Sequence, residues 1–245
     1  MLSDYAIWLR EHAGWSFTVF YDTFDGARFI GGITMTLALC VICIGASLVT
    51  GYALYLLESV AKGGWSRFND GFVAVFRNTP PLVQIYLFYF GLGVYLNPVL
   101  RLTSAGFMTP GVFWSVIAIS LFGAAFHLEA LRGARAAVPP TIYEAVEVLG
   151  LTPLQAQRKV LLPLVSRFAI PALTNNVVEV VKTTAYAYAV GVAETLYVAT
   201  QVWNDALNVR EMMLLVFCVY AAIISAVVLA MRRIEKAYAI KGYLK

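Results

Sequence analysis

Residues 31–57 read GGITMTLALCVICIGASLVTGYALYLL and contain no charged side chain. A helix needs about 20 apolar residues to cross a bilayer, so this run can span with tilt or extend past the hydrocarbon. Four further apolar runs follow, at about 80–96, 110–131, 168–192 and 212–231. In the second, Asn78 or Thr79 is placed to cap and Pro80 to occupy the first turn. The expected fold class is an all-α membrane protein with five transmembrane helices.

Composition points the same way. Of 245 residues, 60% are hydrophobic and 13% charged, and mean hydropathy is +0.75. Soluble domains carry about a quarter charged residues. The net charge of +4 is modest and its basic residues do not cluster, which argues against a nucleic-acid partner. Cys40, Cys43 and Cys218 all sit in apolar runs. The first two have C-x-x-C spacing but no second Cys or His pair nearby, so packing between helices is the expected role. Asp4, Arg10, Glu11 and His12 interrupt any signal-peptide core, so the first span is expected to direct insertion itself.

Basic residues set the expected orientation. Lys62, Arg67 and Arg77 lie between spans 1 and 2; Arg132, Arg135, Arg158, Lys159 and Arg167 lie between spans 3 and 4. The tail holds Arg232, Arg233, Lys236, Lys241 and Lys245, whereas Arg10, Arg28, Arg101 and Arg210 fall on the other side. The N-terminus is therefore expected outside and the C-terminus in the cytoplasm. Three segments are expected: 1–29, 30–240 as the transmembrane domain, and a tail at 241–245. Tyr5, Trp8, Trp15, Phe17, Phe20 and Tyr21 suit an outer-interface position for segment 1–29, or a structured lead-in to span 1.

The cytoplasmic connection at about 134–166 is long and well punctuated. Pro139 and Pro140 stop what precedes, and Thr141 stands at capping-box distance from Glu144. Ile142, Val146 and Leu149 give the following helix an apolar edge, and Gly150 is placed to end it in a left-handed turn. Thr152, Pro153 and Gln155 repeat the start signal, and Leu154 and Leu161 follow before Pro163 breaks the helix. Two short helices hinged at Gly150 are expected, with an apolar edge that needs a partner or packs back on its own bundle.

Glu144-Ala145-Val146, then Gly150 after three residues, then Val160 and Leu162-Pro163 after nine more, resemble the EAA loop of binding-protein-dependent ATP-binding-cassette importers. Val146 and Val160 depart mildly from Ala and Ile. Phe76-Arg77-Asn78-Thr79-Pro80, Leu82-Val83-Gln84, Glu129 with Arg132-Gly133, Ile170-Pro171-Ala172-Leu173 and Lys182-Thr183-Thr184 resemble the polar amino-acid (histidine/glutamine/glutamate-type) permease branch. Where that family often has Gly-Gln before the loop, this chain has Thr141-Ile142. Where the branch reads Lys-Asp-Thr-Ser-Leu, it has Lys182-Thr183-Thr184-Ala185-Tyr186.

The resemblance implies the type I importer permease fold in a bacterial cytoplasmic (inner) membrane. It implies a second permease subunit, identical or related, an extracytoplasmic solute-binding protein, and cytoplasmic ATPase subunits that bind ATP and Mg. Glu144, Ala145, Val146, Gly150, Leu162 and Pro163 would couple to the ATPase. No cofactor is expected on this chain, which lacks a G-x-x-x-x-G-K-[ST] loop.

Asn175, Glu179, Lys182 and Tyr186 in span 4 are offset by 0, 4, 7 and 11, one helical face. Ionisable groups in the membrane should face the bundle interior or a wet cavity. Glu179 could meet the ammonium and Lys182 the carboxylate of an amino acid, with Thr183 and Thr184 adding hydrogen bonds. Equally, Glu179 and Lys182 could neutralise each other at i,i+3, or Lys182 could snorkel. Gln84 and Tyr86 are further pathway candidates, Glu129 and Arg132 are spaced to pair, and His127 reads as helix packing. No catalytic constellation is evident. A gradient-driven secondary transporter explains Glu179 and Lys182 but not the two-helix loop, and no inverted repeat is visible. A structural subunit of a membrane complex would explain the loop alone.

Overall fold

The structure is a computed structural model and describes residues 2–61 and 64–238. Lys62 and the expected tail at 241–245 lie outside them. Besides a three-residue 3-10 turn at Thr18–Phe20, nine helices run through the described residues in chain order. They are α1 (Leu2–Ala13), α2 (Thr23–Val60), α3 (Trp65–Asn78), α4 (Pro81–Leu100), α5 (Pro110–Ala136), α6 (Pro140–Val148), α7 (Pro153–Val190), α8 (Thr195–Ala206) and α9 (Val209–Tyr238). Five of these, α2, α4, α5, α7 and α9, are long and apolar enough to cross a membrane. In hydrocarbon every backbone N–H and C=O must be satisfied internally, which a continuous helix does.

The span limits differ from the sequence expectation in instructive ways. Helix α2 starts at Thr23, eight residues before the uncharged run, because Asp25 and Arg28 neutralise each other as an i,i+3 pair at 2.8 Å. Helix α4 begins at Pro81, with Pro80 accepting the Val83 and Gln84 N–H groups, so the first turn lies one residue later than expected. The largest correction concerns Pro163, which does not break its helix. Helix α7 passes through it, because residues Gln157–Leu161 form a π-helical turn in which Leu162 N–H reaches Gln157 O. In a regular helix the proline ring would crowd the carbonyl four residues back; the wide turn just before it shifts that register. Span 4 thus belongs to a helix that starts at Pro153 rather than near Phe168.

The chain forms two compact units, Met1–Ile42 with Ile85–Val116 and Val181–Ala226, and Cys43–Gln84 with Ile117–Val180 and Val227–Lys245. The first has a core of Val19, Phe29, Val198, Ala199, Val202 and Met212. In it the lead-in residues are fastened to the start of α9. Ser16 N–H donates to Glu211 Oε1 at 3.1 Å, Asn208 Nδ2 donates to Ser16 O at 2.8 Å, and the Arg210 guanidinium lies 3.9 Å from the Trp15 ring centroid. Tyr5, Trp8 and Phe20 remain exposed.

The second unit packs Tyr55, Leu128, Leu131, Val165, Ala169 and Leu173 around the contact of α2, α5 and α7. Small residues allow the backbones to approach, as is usual in membrane bundles. A Cβ added to Gly123 would stand 2.6 Å from Val180 Cγ2 and 2.8 Å from Ser47 Cβ. His127 is fully buried beside it and shares a 3.2 Å hydrogen bond with Ser47, the packing role expected for it.

Gly123→Val should therefore cost more than about 1 kcal/mol through overpacking. Gly133→Ala on the same helix, where a Cβ meets nothing within 4 Å, should be neutral or stabilising by up to about 1 kcal/mol. Thermal unfolding of the purified protein in detergent checks the pair. Equal midpoints for both variants would contradict the tight α2–α5–α7 contact.

Candidate functional site

The connection expected at about 134–166 contains two short helical segments hinged at Gly150, with one correction to their capping. Helix α6 begins at Pro140, capped at Pro139 by no side chain. A proline at 140 holds the preceding residue extended (φ −57°, ψ 138°) and itself fits the first turn, so Thr141 is already inside the helix and the first capping box does not form. The second box does form: Gln155 N–H donates to Thr152 Oγ1 and Thr152 N–H to Gln155 Oε1, at 3.4 and 3.0 Å. Gly150 adopts φ +63°, the left-handed turn that separates the helices.

The loop also has its own small core. Val146, Ala156 and Leu161 are buried together, with Ile142, Tyr143, Leu151 and Val160 packed on them. Val146, expected to couple with its neighbours, is buried in this core and holds α6 on α7. Leu162 packs on the larger core of the second unit, and Pro163 is exposed. What the loop leaves outside is a tip of Val148, Leu149 and Leu154, which are 88%, 68% and 59% exposed, with Glu144, Ala145 and Gly150 also exposed. Beside α6, a cavity of about 610 Å3 is walled by Arg132, Arg135, Tyr143, Glu144 and Glu147.

A polar network ties this loop to the ends of the spans within the second unit. Glu58 Oε2 accepts from Arg132 Nη2 at 2.7 Å, Arg132 Nε at 3.0 Å and Asn69 Nδ2 at 2.6 Å. Arg132 Nη1 also reaches Asp70 Oδ1 at 2.9 Å. Arg135 donates to Ser59 Oγ at 3.1 Å, and the Tyr143 hydroxyl donates to Arg135 O at 3.0 Å. The expected Glu129–Arg132 pair is absent: Glu129 pairs with Arg77, whose guanidinium stacks 5.0 Å from the Phe126 ring. The i,i+3 offset permits that pair, but a carboxylate at the C-terminal end of α2 has an unfavourable helix dipole and competes for Arg132.

The polar residues of α7 divide by burial. Asn175 and Glu179 are exposed in the second unit; Lys182 and Tyr186 are exposed in the first. Tyr186 lies in a tightened 3-10 stretch, Ala185–Val190, that ends the helix. Thr183 and Thr184 are buried, and the Thr184 hydroxyl donates to Val181 O at 2.7 Å and lies 3.7 Å from Cys40 Sγ. The Thr184 hydroxyl is thus engaged with the helix backbone rather than free. Gln84 is buried too. Its amide nitrogen donates to Phe76 O, Thr79 O and Thr79 Oγ1 at 2.8, 3.0 and 2.8 Å, so it splints α3 to α4.

Sequence reading passed over Glu194. Its carboxylate is fully buried in the first unit and caps α8, accepting from Leu196 N–H at 2.9 Å and Tyr197 N–H at 2.8 Å. Tyr220 of α9 donates to it at 2.8 Å, and Thr36 of α2 lies 3.4 Å away. Burial pushes its carboxyl pKa up, against the opposing effect of these hydrogen bonds. The available signal was a lone acid at the N-terminal edge of an apolar-periodic segment.

With this geometry in view, comparison with known proteins gives a consistent result. Residues 59–240 match the family described as binding-protein-dependent transport system inner membrane component, and the chain belongs to that family. It is 30% identical over 187 residues to the octopine transport system permease protein OccM of Rhizobium meliloti, covering 76% of this chain and 74% of that one. It is 30% identical over 184 residues to the histidine/lysine/arginine/ornithine transport system permease protein HisM of Salmonella typhimurium, covering 73% and 75%. Among solved structures, an amino acid ABC transporter with histidines superposes with a TM-score of 0.72 at 23% identity, over 86% of this chain and 94% of that one. The methionine transporter MetNI in an inward-facing conformation gives 0.70 at 21%, over 86% and 96%. The fold is that of an ABC importer permease.

Glu194 yields a direct test. Glu194→Gln keeps an acceptor for the α8 N–H groups and should cost about 1 kcal/mol or less. Glu194→Leu strands two part-buried N–H donors and the Tyr220 hydroxyl and should cost at least about 2 kcal/mol. Unfolding midpoints in detergent distinguish them; an unaffected Leu variant would contradict the capping role.

Proposed function

We propose that this chain is the membrane-spanning permease subunit of an ATP-driven importer for a polar amino acid or amino-acid-like solute. It lies in a bacterial inner membrane with its N-terminus outside and its C-terminus in the cytoplasm. It forms the pathway with a second permease subunit, receives substrate from an extracytoplasmic binding protein, and has its ATP and Mg on separate cytoplasmic ATPase subunits. The substrates named for its relatives, octopine and histidine, lysine, arginine and ornithine, support the amino-acid class.

The observation that carries the coupling role is the exposed tip of Val148, Leu149 and Leu154 around Gly150. Three large apolar side chains at the end of a loop that already has its own core need an apolar partner surface. Glu144 and Ala145 on the adjoining face of α6 complete the contact, and Gly150, Leu162 and Pro163 give the loop its shape. Val146 acts from inside. In the pathway, Asn175, Glu179, Lys182 and Tyr186 are the candidate substrate-facing groups of α7. Thr183 and Thr184 are buried on the same helix, Thr184 bonded to its backbone, and Gln84 holds α3 to α4. A zwitterion leaving water needs both a cation and an anion to replace its hydration, which Lys182 and Glu179 supply.

Two measurements test this. Val148→Asp with Leu149→Asp changes exposed positions, so the isolated permease should keep its stability within about 0.5 kcal/mol. Its capture of the ATPase subunit should be lost and uptake abolished; normal capture would remove the tip from the interface. Separately, Lys182→Met should preserve assembly while lowering reconstituted amino-acid uptake at least tenfold. Unchanged uptake would leave Lys182 a purely structural residue.

A further inference from the structure

A second concave feature lies away from the loop tip and the polar residues of α7. Within the second unit, a groove of about 400 Å3 runs between α2, α7 and α9, walled by Tyr52, Pro163, Ile170, Met231 and Ile234 among others. Its lining is mostly apolar, with Ser166, Tyr52 and Tyr238 adding polar atoms and Arg167 as its one charged member. Along α7 the lining continues through Ile170, Leu173 and Val177. From Arg167 to Val177 the helix rises about 15 Å, half of the roughly 30 Å hydrocarbon thickness of a bilayer.

We propose that this groove binds one phospholipid with an anionic headgroup, its acyl chain along α7 and its phosphate at Arg167. A slot that is mostly apolar beside about 15 Å of helix and carries one cationic side chain has the polarity of a single amphiphile. The neighbouring end of α9 adds exposed Arg232, Arg233 and Lys236, and a basic juxtamembrane cluster attracts anionic lipid. Arginine suits the phosphate because its fork of N–H donors matches the oxygens. Pro163 is at once a wall of the groove and the last residue of the loop pattern, so a bound lipid abuts the point where the coupling loop enters the membrane helix. The site rests on the second unit's geometry and is independent of the amino-acid cargo.

Native mass spectrometry of the complex, copurified with its ATPase and incubated with dioleoylphosphatidylglycerol or dioleoylphosphatidylcholine, tests it. The wild-type complex should retain phosphatidylglycerol at least fivefold over phosphatidylcholine. Arg167→Gln, at an exposed position, should bring that ratio close to one while ATPase copurification persists. Ile170→Trp, which fills the groove, should reduce retention of both lipids. Equal retention of the two lipids by wild type, or an unchanged ratio in Arg167→Gln, overturns the proposal. If a second copy of the chain occupies the groove instead, Ser166→Cys in a Cys218→Ser background will cross-link between copies, and the lipid site falls.

Discussion

The Arg132 guanidinium holds together the end of the bundle on which the loop is built. It meets Glu58 of α2 through two nitrogens and Asp70 of α3 through the third, while Asn69 adds a donor to the same Glu58 oxygen. Three helices are joined by one planar group whose donors are rigidly spaced. Glu58 and Arg132 side chains are only 19% and 25% exposed, so this pair lies between a surface bridge of about 1 kcal/mol or less and a buried one whose rupture costs about 3–5 kcal/mol. Without Arg132, a carboxylate at the wrong end of a helix dipole would be left near the membrane.

The loop depends on that fixed platform. Ile142 and Tyr143 pack on the core made by Tyr55, Leu128 and Leu131, and Tyr143 is hydrogen-bonded to Arg135, one turn beyond Arg132's side of α5. Val146, Ala156 and Leu161 then lock α6 to the start of α7. Helix α7 continues from there into the membrane without a break at Pro163. Within the second unit, the exposed tip is thus joined to a spanning helix through packed side chains and a backbone that stays helical from Pro153 to Val180. The closest thing to a hinge is the left-handed Gly150 turn, and it lies at the tip itself.

Much of this was legible in the chain because the signals were local. An uncharged run of spanning length, a glycine after an apolar edge, and the Thr152–Gln155 offset each depend on neighbours a few residues away. The misses depended on distant partners or on backbone registers. Arg132 had a carboxylate at i−3, yet its partners came from 62 and 74 residues away. The π turn that carries α7 past Pro163 has no residue signature that outweighs a proline. Thr141 lost its capping role to two prolines whose own φ angles start the helix earlier. Of the candidate pathway residues, periodicity put Asn175, Glu179, Lys182 and Tyr186 on one face of α7, all four exposed on this chain, but could not show that Thr184 and Gln84 were engaged with backbone carbonyls. Glu194 was overlooked because a buried cap looks, in sequence, like any isolated acid.

The central claim is that the loop tip is the ATPase contact. The most direct measurement is photo-cross-linking from a benzophenone maleimide at Leu149→Cys in a Cys218→Ser background, within the assembled importer, with Tyr95→Cys as an exposed control position in the first unit. The account predicts an adduct with the ATPase subunit from residue 149 and none from residue 95. An intact complex that gives no ATPase adduct at 149, or equal adducts at both positions, would contradict it.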